Sequence, residues 1–388
     1  MTLQRIFLLC VAGCVGILSC SAEDVPLVGY TEFRTNLPGG RHANVRTMRA
    51  TVVRMDGAGW RQVAEHLVDE PDAWTQFAGW SPDGSLAIVN RGWQAPTNAR
   101  WEEEHKQFRM TAGNWQLDSC LVVVQTGQLT NVTAIERVSH YNGGLFFLPN
   151  GCGLGFTPLI DGVSTPFVMD LDGHNKRDVS EEGAGFTYGF SVSPDGTQIS
   201  YHDNYEVYVA DADGSNKRHV QTGNSFDFAP RWSPDGEWLL FVSGVHERWN
   251  PYIVRRDGTE LRKIADLGGY KGWISFLDVP DFHNGSSDIP VWSTDGQSVF
   301  FTARVADNVE LFQVTLEGVV TQLSKRPPGT LHYHIKPSAD GLRLLYGSMR
   351  RGVRNLYIMD LADMSETQLT NLRAGHAAMW PHWQMSQD

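Results

Sequence analysis

Cysteine is scarce and poorly placed for crosslinking. Of five cysteines in 388 residues, Cys10, Cys14 and Cys20 fall in the first twenty positions, leaving Cys120 and Cys152 for the body of the chain. That excludes a disulfide scaffold and leaves room for one bridge at most, in an oxidising compartment. Positive charge is also short: 32 Lys plus Arg face 44 Asp plus Glu, a formal net charge of -12. A surface of that sign repels phosphate backbones and anionic headgroups, which excludes nucleic acid as a partner. Beyond the first twenty residues no apolar run approaches the ~18 residues of a membrane helix. Gly-x-Ser-x-Gly, His-Glu-x-x-His, a phosphate-binding glycine loop and paired Cys-x-x-Cys are all missing. The common nucleophile, zinc-helix and nucleotide signatures go with them.

The single long apolar run comes first: Arg5, then Ile6 to Leu18, then small residues. This is the pattern of a targeting segment. Ile17-Leu18-Ser19-Cys20 resembles a bacterial lipobox, and Cys20-Ser21-Ala22 resembles a signal-peptidase site. Residues 1–22 are expected to be a signal peptide of the lipoprotein type, with a lipid on Cys20 as the sole membrane attachment. The body, 23–388, is expected outside the cytoplasm, periplasmic or at the cell surface.

What the chain has in quantity is glycine (39), proline (18) and tryptophan (13), which point to many turns and short aromatic strands. One phrase recurs: Trp80-Ser81-Pro82-Asp83-Gly84, Ser193-Pro194-Asp195-Gly196, Trp232-Ser233-Pro234-Asp235-Gly236 and Trp292-Ser293-Thr294-Asp295-Gly296, with weaker copies at Asn150 and Asp340. Each copy reads as a hairpin turn between two strands, here called A and B. A second phrase follows, strand, acidic turn, strand, as in Val207 to Val220 and Leu356 to Thr370. These are strands C and D. Residues Leu27 to Thr35, Met48 to Met55 and Trp60 to Ala64 read as B, C and D without an A, and Ala378 to Trp383 supplies an A strand at the other end. The expected fold is therefore all-β: a seven-bladed β-propeller of four-stranded blades, closed by N- and C-terminal strands in one blade. The tryptophans are expected to pack between blades.

The WSPDG turn with its downstream LYVMD-like strand resembles the repeat of the TolB-type propeller superfamily, also called the PD40 or WD40-like repeat, over essentially the whole chain after the leader. The resemblance implies a propeller. It does not extend to TolB's separate N-terminal domain, since blade strands begin near Leu27.

Ligands of propellers usually sit at one mouth of the central channel, beside the starts of the A strands and the B–C loops. Counting six to eight residues back from each turn Asp gives His332-Tyr333-His334, Ser287-Asp288-Ile289, Asp227-Phe228-Ala229 and Thr187-Tyr188-Gly189, with Trp380 from the closing blade. Asp227, Asp288, Tyr188 and Trp380 are thus ligand-binding candidates. His332 and His334, two apart, would share a face of an extended strand and could hold one cation with His283 as a third ligand. His202 and His246, on B–C loops, are candidate bases. The pair also resembles the His-x-His of oligogalacturonate lyases, propellers in which a divalent metal, usually manganese, acidifies a sugar-acid proton. That family's Gln ligand falls on Gly329 and its fourth ligand, a His, on Ile289, so two of four ligands carry over. The implied cofactor is one divalent metal, manganese or calcium.

The longest insertion, Arg91 to Trp115, holds Trp93, Trp101 and Trp115 with Arg91, Arg100, His105 and Arg109. It suits an anionic glycan, or else packs on its own blade with Glu102-Glu103-Glu104 as a solvated face. The acidic turns at Asp170-Leu171-Asp172-Gly173 and Asp211-Ala212-Asp213-Gly214 read as ordinary hairpins. The functional expectation is a monomeric propeller that binds a protein or glycan at its mouth. The rival is a metal-assisted enzyme acting on acidic sugars.

Overall fold

The computed structural model of the chain describes residues 25–34, 47–68, 73–105, 109, 113–133, 140–160, 163–180, 185–187, 189–275 and 285–384. The leader with Cys20, and the site candidates Tyr188 and His283, lie outside them.

The described residues are nearly all-β, with one α-helix at Pro96–His105 and a 3-10 turn at Glu65–Val68. Each repeat forms an antiparallel sheet in chain order. Ala73–Trp80, Leu86–Gln94, Trp115–Val123 and Leu129–Asn131 make one, and Phe226–Trp232, Trp238–Val245, Arg248–Arg255 and Arg262–Lys263 another. Equivalent sets begin at His140, Phe190, Val291 and Leu331. At the chain ends, His376–Trp383 pairs with Leu27–Arg34, which continues to Arg49–Arg54 and Arg61–Gln62. Neighbouring sheets touch through single parallel pairs, Val309 with Leu331 and Arg354 with Ala377. A further two-stranded hairpin, Trp273–Ser275 with Gly285–Ser287, precedes the Val291 strand.

The recurrent turn phrase has a local cause. In each copy that carries the serine, its hydroxyl donates to the Asp two residues on (Ser81 to Asp83, 2.6 Å; Ser233 to Asp235, 2.5 Å) and accepts the amide five residues on (Leu86, 2.9 Å; Trp238, 2.9 Å). The same Asp accepts the amide two residues further (Ser85, 3.0 Å; Glu237, 3.0 Å). The glycine holds a positive φ of 70° to 73° at Gly84, Gly196 and Gly236, which a Cβ would strain.

The tryptophans join repeats, as their spacing suggested. Trp292 Nε1 donates to the Arg231 carbonyl at 3.1 Å, Trp383 to that of Lys336 at 3.0 Å and Trp80 to that of His382 at 3.2 Å. Each acceptor belongs to the A strand of the neighbouring sheet. B strands are buried along most of their length, as in Trp238 to Ser243, because both faces are covered. One apolar cluster holds Val207 and Val209 from one sheet with Leu239, Phe241 and Val254 from the next. A continuous apolar run, rather than an alternating one, is what double coverage requires.

The A strands carry a device that sequence counting missed. Ala229, His334 and Trp380 have φ of 54°, 53° and 49°, and the register slips there, between Phe228 and Arg231, between Tyr333 and Lys336, and opposite Gly29 to Thr31. Each is a β-bulge, which bends the strand and re-aims its side chains.

Candidate functional site

The A-strand starts and B–C turns lie at one end of the sheets, the loop end, opposite the Ser-x-Asp-Gly turns. The expected site residues there divide sharply.

The His-x-His reading fails on geometry. Alternation of faces needs an extended strand, and the strand bulges at His334. His334 Nε2 meets Ser286 Oγ at 3.1 Å, and its Nδ1 accepts the Trp380 amide at 3.4 Å. Both ring nitrogens are thus committed within the protein, and burial pushes the imidazole down to about 3. His332 instead lies against Tyr346, with Nε2 3.6 Å from Glu310 Oε2. Burial drives Glu310 up, but the approach of His332 and hydrogen bonds from Ser324, the Arg326 amide and Asn308 outweigh it and hold the carboxyl at about 2. Among the described residues no group of three His, Cys, Asp or Glu is placed to hold a metal ion.

The two candidate carboxylates differ: Asp288 braces backbone, whereas Asp227 holds a side-chain hydroxyl and keeps its Oδ1 buried without a hydrogen bond. Asp288 is 4% exposed, and its Oδ1 accepts the His334 amide at 2.8 Å. Its Oδ2 accepts Thr302 at 2.5 Å and Tyr270 at 3.3 Å. Burial raises it to about 6. Asp227 takes the Thr222 hydroxyl at 2.6 Å, while its amide donates to Tyr205 at 2.9 Å. Trp380 stacks between His334 and Phe33, and its Nε1 donates to Ser286 at 3.0 Å. Through Ser286 the extra hairpin is therefore docked on two other repeats.

The candidate bases sit in an aromatic stack. His202 is fully buried, parallel to Tyr205 at 5.4 Å, and Tyr205 continues to Phe226 at 4.6 Å and Phe226 to Trp249 at 5.2 Å. Burial pushes His202 down to about 3, far from the range of an efficient base near neutrality. His246 is exposed, edge-on to Phe226 at 5.4 Å. Trp273, on the extra hairpin, is 41% exposed. Sequence reading found the two histidines but not the rings between them, because Tyr205, Phe226 and Trp249 belong to two different repeats.

The long insertion packs on itself. Glu102 is buried, not solvated: it accepts Gln94 at 2.9 Å and the Arg109 amide at 2.7 Å. Helix formation over Pro96–His105 turns this carboxylate inward, where it ties the segment back to the preceding strand. Arg109 lies over Trp101 at 4.5 Å, and Arg91 donates to the Leu67 carbonyl at 2.8 Å. Trp93 is half-buried in the sheet, paired to Ala73 and Gln116. Cys120 is buried, Cys152 is exposed and both are free thiols. The Asp170 and Asp211 turns are hairpins closed by Asn175 and Asn216.

A second group went unnoticed in the sequence. Arg231, Lys336 and His382 occupy one position of three A strands, four residues before the turn Asp or its equivalent, and are the residues whose carbonyls receive the tryptophan indoles. Burial and the Arg231 charge lower Lys336 to about 8. Burial, then Lys336 and His334, hold His382 well below the usual histidine range. Among the described residues no carboxylate acts on any of the three. The counting frame that found His334 would have found them two residues further on.

No family model matches the chain. In sequence it is 35% identical over 82 residues to the Tol-Pal system protein TolB of Methylococcus capsulatus, which covers 21% of this chain and 18% of that protein. The chain spans from 16% to 66% of the length of the first curated relatives it matches. In structure it is similar to TolB from Acinetobacter baumannii, with a TM-score of 0.51 and 14% identity over 92% of this chain and 66% of that one. It is also similar to an oligogalacturonate lyase in complex with manganese, with a TM-score of 0.57 and 14% identity over 90% and 88%. The TolB-like resemblance read from the repeats holds, and at these identities the structural likeness concerns the fold.

Proposed function

We propose that this chain is a seven-bladed TolB-like propeller, residues 23–388, closed by its terminal strands, that acts outside the cytoplasm and binds a glycan at the mouth of its channel without catalysing a reaction on it. The observation that carries this reading is the ring stack at the loop end: His202, Tyr205, Phe226 and Trp249 in face-to-face sequence, with half-buried Tyr205 and exposed His246 at its edge. Aromatic faces beside polar edges suit the apolar faces and hydroxyl rims of sugar rings. The absence of a usable base at His202 and the full hydrogen bonding of His334 weigh against the elimination chemistry of a metal-dependent lyase. The pairing of His376–Trp383 with Leu27–Arg34, and of Trp80 with the His382 carbonyl, supports ring closure. The leader-like segment with its lipobox supports an extracytoplasmic site, with lipid on Cys20 as the anchor.

The test is an array of glycans and peptides probed with the wild-type chain and a Tyr205→Ala/His246→Ala variant. Capture of a glycan by the wild type, lost in a variant that unfolds at the same temperature, is expected. A peptide ligand would replace the glycan in this reading, and retention by the variant would move the site elsewhere. Stoichiometric manganese or calcium in the purified chain would revive the enzyme.

A further inference from the structure

Arg231, Lys336 and His382 stand out because they contradict the charge of the molecule. In a chain of net charge -12, two cations and an imidazole stand at one position of three A strands, and among the described residues no carboxylate pairs with them. Several basic side chains elsewhere are answered by carboxylates: Arg256 pairs with Asp195 at 2.8 Å, Lys217 with Asp203 at 3.5 Å and Arg326 with Glu366 at 2.6 Å. Here Arg231 Nη1 donates to the Phe190 carbonyl at 3.0 Å.

We propose that Arg231, Lys336 and His382 form a binding site for a dianionic oxyanion, of the phosphate monoester class, in the wall of the central channel. The proposal rests on the propeller reading, which puts the A strands of the three repeats around one channel.

Three observations build the site. Solvent reaches it: Arg231 is exposed, and Lys336 and His382 are partly so. Protein also borders it: Arg231 Nη1 reaches the Phe190 carbonyl of the preceding repeat at 3.0 Å. A cation partly enclosed by protein attracts an anion more strongly than one on an open surface. The backbone is also fixed in advance: at each residue an indole from the next repeat holds the carbonyl, at 3.1, 3.0 and 3.2 Å. A placed cation loses less entropy on binding than a surface lysine.

The chemistry of the ligand follows from the count of charges. Arginine and lysine bring two positive charges, and His382, kept neutral by burial and by Lys336, brings a neutral ring. A phosphate monoester carries about two negative charges at neutral pH, so it balances the pair. A carboxylate balances half of it. The guanidinium fork matches two phosphate oxygens, and the ammonium takes a third as a point charge.

Free phosphate and a phosphorylated ligand share this chemistry, and titration distinguishes them. The full chain is titrated calorimetrically with inorganic phosphate, glucose 6-phosphate and acetate at fixed ionic strength. One saturable phosphate per chain is expected, with acetate much weaker. In Lys336→Met and Arg231→Met the affinity falls about tenfold or more, while Lys336→Arg, which keeps the charge, retains binding even if the Met variants misfold. Tighter binding of glucose 6-phosphate than of phosphate assigns the site to a phosphorylated ligand, and equal binding assigns it to the free ion. Absence of saturable heat in the wild type, equal affinity in both Met variants, or acetate binding as tightly as phosphate overturns the proposal. Crystals grown with phosphate separate the two claims. A closed ring without the ion sinks the anion site alone, and an open arrangement of sheets sinks the propeller reading beneath it.

Discussion

The two ends of the sheets are built on opposite principles. At the turn end, Ser81 with Asp83, Ser233 with Asp235 and Ser338 with Asp340 repeat one closed circuit within six residues of chain, and the aspartates are exposed. At the loop end, the Asp288 carboxylate holds an amide 46 residues away, His334 meets a serine 48 residues away and Tyr333 donates its hydroxyl to a carbonyl 45 residues away, all largely buried. The turn end is modular in this circuit, which each copy closes within itself, although Arg256 of the next repeat also pairs with Asp195. The loop end is a shared network in which every group depends on several repeats, which is where a protein can place groups that no single repeat encodes.

The contrast can be broken at its largest scale by deleting residues 376–388. If the terminal sheet is held only by distant pairing, loss of the strand beside Leu27–Arg34 should abolish cooperative unfolding, read by circular dichroism in denaturant. Survival of a sharp transition would mean that the repeats stand alone at both ends.

Acid should act next, chiefly through the buried histidines of the loop end. His202 and His334 have folded pKa values of about 3 against an unfolded value near 6.5. The unfolded chain therefore binds the extra protons, and stability present above pH 6.5 is lost as pH falls toward 3, on the order of 4 kcal/mol per histidine. Asp288, raised to about 6, has the opposite sign: it favours the folded state at low pH and loses that contribution as pH rises through about 6, which offsets part of the loss. His202→Phe keeps a ring against Tyr205 and Phe228 and should flatten the profile between pH 6.5 and 3. An unchanged profile would contradict the assignment.

Asp288→Ala should cost about 3 kcal/mol in urea unfolding, since it strands the buried His334 amide and leaves two hydroxyls unanswered. That loss should be non-additive with His334→Ala, whose backbone it anchors. At the turn end, Asp235→Ala should cost about 1 kcal/mol and add simply to Asp83→Ala, because each removes one local circuit in a different sheet. Coupling between these two turns would undo the distinction between the ends.

The same distinction sets what could be read in advance. The Ser-x-Asp-Gly turns, the strand phrases and the tryptophan contacts were legible because every bond that makes them spans a few residues or repeats with a fixed period. The loop-end residues were found by counting, but their roles were misassigned. Asp288 looked like a ligand group and braces the His334 backbone. His332 and His334 looked like a pair and are parted by a bulge. The charge of Glu102 suggested solvent, and its hydrogen bonds to Gln94 and Arg109 hold it inside. A bulge adds one residue to one strand, leaves no mark that a period can show and changes the direction of every side chain around it.

The sequence by itself determined the all-β repeat, its turns and the TolB-like resemblance, since these follow from local hydrogen bonding and from apolar periodicity. Only the tertiary structure decided which polar groups are consumed in holding the repeats together and which remain, as Arg231, Lys336 and His382 do, without an opposite charge. Burial and partner choice depend on residues tens of positions apart, and electrostatics in a shared interior is set by those neighbours and not by spacing along the chain.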